Sequence, residues 1–126
     1  MSKDHILYIE DSPENRLLVR RVLGAEGYVI EEAEDGYSGL EAARRSKPSL
    51  ILLDINLPEL DGYEMVDRLR AIPDLSDVPI IALTANVMKG DRERALEAGC
   101  DGYIQKPIDV DSLPKQVASF LGKSDG

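Results

Sequence analysis

The sequence predicts an α/β fold: a doubly wound parallel sheet of five strands, order 2-1-3-4-5, flanked by five helices. Three observations predict it. Five short apolar runs alternate with segments of helical spacing, which implies repeated strand–helix units and a parallel sheet with helices on both faces. The first, third and fourth runs are nearly continuously apolar, as strands buried on both faces must be. The second and fifth carry polar residues, which places them at the edges.

The elements follow in order. The first run, His5–Ile9, precedes Ser12-Pro13, an N-cap followed by a first-turn proline. The helix it opens carries a stripe of Leu18, Val22 and Leu23, with Arg16, Arg20 and Arg21 among the intervening positions, and Gly27 ends it. The second run, Tyr28–Ile30, fades into Glu31-Glu32. The third, Leu50–Leu53, is followed by Asp61 and Glu64, spaced as a capped helix start. After the fourth run, Pro79–Leu83, a helix carrying Arg92–Ala98 closes on Gly99. The fifth run, Gly102–Gln105, leads to a last helix with Leu113, Val117, Phe120 and Leu121 on one face. Residues 1–126 read as one domain with a core of about 5–121 and a frayed tail at 122–126.

Composition narrows the function. With 126 residues, 15 Lys+Arg and 24 Asp+Glu, the chain carries −9, and acidity of this size argues against nucleic acid or anionic membrane as a direct partner. No apolar tract approaches the roughly 18 residues of a membrane span, and no signal peptide opens the chain. The single Cys100 excludes an internal disulfide and multi-cysteine metal sites, which fits a reducing cytoplasm. The single His5 excludes catalysis by paired imidazoles. Cys100 reads as a small packed residue and His5 as a strand-start residue.

Chemistry collects at the strand ends. The first run ends in Glu10-Asp11, the third in Asp54, the fourth in Thr84 and the fifth in Lys106. In a parallel sheet these ends share one edge, so three carboxylates, a hydroxyl and an ammonium meet in one crevice. Taken singly, each has a plainer role, as turn residue, helix cap, strand end or surface lysine. Their joint placement favours a site. Carboxylates forced together raise a pKa or bind a cation, and an all-oxygen donor set suits Mg²⁺. Asp54 could then attack phosphorus as a nucleophile, with Lys106 and Thr84 stabilising the equatorial oxygens.

With those residues in place, the chain resembles the receiver domain of two-component response regulators, of flavodoxin-like fold, from Ile6 to about Leu121. The resemblance rests on Leu7-Tyr-Ile-Glu10-Asp11, Leu52-Leu-Asp54-Ile-Asn-Leu-Pro58-Glu-Leu-Asp61-Gly62, Ile81-Ala-Leu-Thr84-Ala85 and Tyr103-Ile-Gln-Lys106-Pro107, in that order and spacing. It implies that Asp54 accepts a phosphoryl group from a histidine kinase or phosphotransfer protein. It makes Asp11 a direct Mg²⁺ ligand, with Glu10 acting mainly through metal-bound water and Asn56 contributing a backbone carbonyl. It casts Thr84 and Tyr103 as a switch pair, Lys106 as the lysine of the family pattern and Pro107 as a cis proline that orients it. Glu10 stands where many members have Asp. Ala85 leaves room for an in-line donor, and Asn56 and Asn86 flank the site.

Nothing resembling a DNA-binding or enzymatic output domain is read after Leu121, so the signal is expected to leave through a surface. The expected surface is the fourth helix, fifth strand and fifth helix, given a mixed-charge character by Asp91, Arg92, Glu93 and Arg94. The chain is thus expected to be a phosphorylation-switched binding module, monomeric or weakly dimeric, that catalyses only its own phosphoryl transfer and dephosphorylation. Three alternatives stand beside this reading. A receiver excised from a hybrid kinase or larger regulator is disfavoured by the start at Met1 and the short tail. An aspartate phosphatase of the haloacid dehalogenase type is disfavoured because Asp54-Ile-Asn56 lacks its second acid. A flavodoxin-like cofactor binder is disfavoured because three acids would repel a flavin phosphate. The acids and lysine of the site carry a net −2 of the −9, so most of the acidity belongs to the surface.

Overall fold

The computed structural model describes residues 4–55, 57, 62–84 and 91–121. Along the chain lie β1 (His5–Ile9), α1 (Pro13–Gly24), β2 (Val29–Ala33), α2 (Gly36–Ser46), β3 (Leu50–Asp54) and α3 (Gly62–Arg70). A 3-10 turn (Pro73–Leu75), β4 (Ile80–Thr84), α4 (Asp91–Ala98), β5 (Gly102–Gln105) and α5 (Leu113–Phe120) follow. All four strand pairs are parallel, in the order β2-β1-β3-β4-β5 predicted from the sequence.

Strand alternation divides the core in two. Leu7, Ile9, Ile51, Leu53, Ile80 and Ala82 face a layer that includes Leu40 of α2 and Met65 and Leu69 of α3. Ile6, Tyr8, Leu50, Leu52, Ile81 and Leu83 face Val19 and Leu23 of α1 and Leu113 and Val117 of α5. Every side chain of β3 and β4 is buried, which is why those runs had to be apolar throughout.

Local chemistry sets the helix ends. The Ser12 hydroxyl accepts from the Asn15 N–H at 3.2 Å, as the sequence predicted, with Pro13 in the first turn. α2 starts with a reciprocal box between Asp35 and Ser38, a pattern not read from the sequence. Gly99 has φ +114°, a conformation that side-chain-bearing residues rarely adopt, and it follows α4 closely. The proposed Asp61 cap lies outside the described residues.

Two details differ from expectation. β2 does not fade at Glu31-Glu32 but runs through them to Ala33. As an edge strand it keeps the glutamates paired: Glu31 with His5 and Arg45, and Glu32 with Arg16 and Arg20. The α1 stripe centres on Val19 and Leu23, with Leu18 and Val22 only half-buried. Val19 and Leu23 are the α1 residues that pack against Ile6, Tyr8, Leu50 and Leu52 of the sheet.

Candidate metal and phosphoryl site

Register brings the site together. Ile9 lies opposite Leu53, so one step further along both strands Glu10 lies beside Asp54. Glu10 continues the face that carries Tyr8, and Asp54 the face that carries Leu52; Lys106 follows Ile104 on the same face. Three residues of α1/α5-facing alternation therefore converge past the strand ends. Their charges meet as this geometry requires: Lys106 Nζ is 2.7 Å from Glu10 Oε1 and 3.3 Å from Asp54 Oδ2.

The convergence is buried. Glu10 is 1% exposed and Asp54 3%, so each charge needs a partner rather than bulk water. Asp11 is exposed and borders the opening. One carboxylate oxygen from each of Glu10, Asp11 and Asp54 lies within 4.8 Å of the other two. This is a set of hard oxygen donors open to solvent on one side, and it fits Mg²⁺, which takes one or two carboxylates and retains waters. When bound, such an ion would supply positive charge to oxygens gathering beside Asp54.

Lys106 answers two opposed influences. Burial disfavours its charged form, but the hydrogen bond to Glu10 and the field of Asp54 outweigh it, so its pKa is raised. The lysine is therefore a fixed cation at the site. The Lys106–Pro107 peptide is cis, as the resemblance implied. A cavity of about 430 Å³ opens beside it, lined by Asn15, Lys106, Pro107 and Ile108.

Thr84 ends β4 and is 4% exposed. It continues the opposite face, the one carrying Ala82, and Ala82 is registered with Tyr103 of β5. Tyr103 is half-buried and packs against that same layer. It also lines a cavity of about 430 Å³ with Leu96, Gln116 and Phe120, between α4 and α5. Asn56, Ala85 and Asn86 lie outside the described residues, as do the side chains of Asp91 and Arg92. Arg94 is exposed and reaches α3. Its guanidinium lies over the Tyr63 ring of α3, 4.4 Å from the centroid.

Two residues were missed in the sequence. The Tyr8 hydroxyl donates to Glu10 Oε1 at 2.8 Å, and the Arg16 guanidinium donates to the Glu10 carbonyl at 2.7 Å. Period-two alternation holds the signal for Tyr8, since positions 8 and 10 share a face. In the sequence Arg16 carries no such signal, standing only among the positions between the apolar residues of α1. Cys100 is buried as expected, and burial pushes its thiol up to about 11.

Residues 6–118 match the family described as the response regulator receiver domain. The chain belongs to that family. It is 40% identical over 117 residues to the polar-differentiation response regulator DivK of Brucella anthropi, covering 93% of this chain and 95% of the relative. Among solved structures it resembles the receiver domain of the sensor histidine kinase PA1611 from Pseudomonas aeruginosa, crystallised with magnesium in its active-site cleft. That match has a TM-score of 0.87 and 37% identity, over 96% of this chain and 99% of that one. The chemotaxis protein CheY4 of Vibrio cholerae gives a TM-score of 0.90 at 27% identity, over 94% of this chain and 99% of that one. The receiver is thus of the two-component type, whose members are signalling phosphoacceptors that bind Mg²⁺ at an acidic pocket and engage histidine kinases and downstream targets. No helix among the described residues is long and apolar enough to cross a membrane.

Proposed function

We propose that this chain is a phosphorylation-activated switch, with Asp54 as phosphoacceptor and a histidine kinase or phosphotransfer protein as donor. One observation carries the reading: Asp54, Glu10 and Lys106 meet within hydrogen-bonding or ion-pair distance, with Asp11 at the opening. An Asp54 carboxylate oxygen forms the new O–P bond while the N–P bond to the donor imidazole breaks, and the imidazole nitrogen keeps the electron pair. Lys106 neutralises charge on the phosphoryl oxygens, and the Thr84 hydroxyl donates to one of them. Glu10, Asp11, Asp54 and the Asn56 carbonyl would hold Mg²⁺.

The output surface in this reading is the α4–β5–α5 face. Support comes from Thr84 and Tyr103 lying on the same side of the sheet, across Ala82. A change at Thr84 is transmitted to Tyr103 and to the cleft between α4 and α5. Phosphorylation then shifts partner affinity only by the difference in binding between the two states. We place the chain in the cytoplasm as one receiver domain.

The test is incubation with Mg²⁺ and labelled acetyl phosphate. The chain should gain one hydroxylamine-labile phosphoryl group, and Asp54→Asn should gain none; equal labelling of that variant would overturn the assignment. Thr84→Ala should still be labelled yet lose phosphorylation-dependent partner binding. A second reading, a receiver working within a larger chain, draws on the 37% identity to the receiver of a sensor histidine kinase. The size of the native protein on an immunoblot separates the two.

A further inference from the structure

Glu10 Oε1 accepts two hydrogen bonds, from the Tyr8 hydroxyl at 2.8 Å and from Lys106 Nζ at 2.7 Å, while Oε2 accepts from the Ser12 N–H at 3.3 Å. Tyr8 is fully buried and Glu10 is 1% exposed, so water does not readily replace a donor lost from this oxygen. Lys106 is already placed between two carboxylates, since Asp54 Oδ2 lies 3.3 Å from its nitrogen. A phosphoryl group on Asp54 would add oxygens that compete with Glu10 for the same ammonium.

We propose that Tyr8 is a positioning residue for phosphoryl transfer: its hydroxyl holds the Glu10 carboxylate and so allows Lys106 to leave Glu10 for the phosphoryl oxygens. The inference rests on Asp54 being the phosphoacceptor. In the resting state Glu10 Oε1 has both donors. Once Lys106 turns to the phosphoryl group, Tyr8 remains as its side-chain donor. Without the hydroxyl, the departure of Lys106 strips a buried carboxylate oxygen of both, which makes the phosphorylated state costlier than the resting one.

The proposal makes a coupled expectation. Beryllofluoride with Mg²⁺, an analogue of the phosphoryl group, is titrated against the full chain by calorimetry. Tyr8→Phe should weaken its binding by about tenfold, the loss of one hydrogen bond to a charged group. In a Lys106→Met background the same substitution should have almost no effect, because Glu10 then has the same donors in both states. Unchanged affinity in the Tyr8→Phe single variant overturns the proposal. So does an equal loss in both backgrounds, which would mark Tyr8 as merely structural. A second measurement needs no variant: side-chain carbon NMR on addition of beryllofluoride should show Lys106 leaving Glu10 while the Tyr8 ring signal keeps its hydrogen-bonded position. Movement of Tyr8 together with Lys106 overturns the proposal. Retention of beryllofluoride binding by Asp54→Asn would instead strike at the phosphoacceptor assignment.

Discussion

Replacing Lys106 by methionine keeps the length of the side chain and removes the only cation seen between Glu10 and Asp54 among the described residues. The ammonium lies 2.7 Å from one carboxylate and 3.3 Å from the other. At an effective dielectric of ~20, each contact has a gross attraction of about 5–6 kcal/mol. Desolvation cancels much of it, and removing one member of a buried pair costs about 3–5 kcal/mol because the remaining charge is left uncompensated. The Lys106 side chain is 16% exposed, so the lower end applies, at about 3 kcal/mol. With a urea slope of roughly 1–3 kcal/mol per molar, the midpoint should fall by about 1–3 M.

Mg²⁺ separates this cause from ordinary loss of packing. An ion on Glu10, Asp11 and Asp54 restores the missing charge, and at a hundred times its Kd it adds about 2.7 kcal/mol to stability. Lys106→Met should therefore recover most of its deficit in Mg²⁺, and should bind the ion more tightly than the unsubstituted chain, in which the ammonium competes. Urea melts of both proteins, with and without Mg²⁺, measure each quantity. A deficit under about 1 kcal/mol, or equal stabilisation of both proteins by Mg²⁺, would refute the reasoning. The pH sign is also set. The Lys106 pKa is raised from 10.5, so its contribution is complete through neutral pH and is lost only as pH rises past that value.

Further outcomes follow from single contacts. A methyl group at Gly39 would lie 2.6 Å from Ile9 Cδ1 and 2.8 Å from Cγ1. Ile9 is fully buried and has little room to give, so Gly39→Ala should lower stability by about 1–3 kcal/mol in a urea melt. Arg70 donates to the carbonyls of Leu75, Val78 and Gly99 and pairs with Asp101. Arg70→Met should cost about 2–3 kcal/mol and speed amide exchange at Ile80 and Asp101 first. The Cys100 thiol, pushed up to about 11 by burial, should resist a thiol reagent at pH 8 in the folded protein and react at once in denaturant. Rapid labelling of the folded chain would contradict that environment.

Much of the sheet was legible because burial on two faces leaves a plain mark. Leu50–Leu53 and Pro79–Leu83 could hardly be anything but central strands, and the polar edges followed by contrast. β2 was read short because its glutamates look like a strand end. The tertiary neighbours His5, Arg16, Arg20, Arg45 and Ser46 make them tolerable within an edge strand. Glu10, Asp11, Asp54, Thr84 and Lys106 were legible as strand-end residues of a parallel sheet. Tyr8 was not, because a tyrosine inside an apolar run is explained by packing alone until its hydroxyl is seen to reach Glu10. The contact of Arg94 with the Tyr63 ring was not legible either, since a charged helix turn in sequence carries no mark of which neighbour it stacks on.

The division of the sheet into two faces explains why one edge can host both chemistry and a response to it. Glu10, Asp54 and Lys106 continue the alternation that carries Tyr8, Leu52 and Ile104, and lean toward α1 and α5. Thr84 continues the alternation of Ala82, toward the layer in which Tyr103 packs. If Asp54 is the phosphoacceptor proposed above, a group built on it grows from one face, whereas the Thr84 hydroxyl belongs to the other. Drawing Thr84 toward Asp54 would pull its side chain away from the α4 side, and a close-packed layer would fill the space it vacates by rearrangement. Tyr103, half-buried beside the cleft between α4 and α5, is the neighbour with room to move. In that reading β3 and β4, buried throughout, and Ile6–Ile9 of β1 would hold the acids still while the α4 side responds.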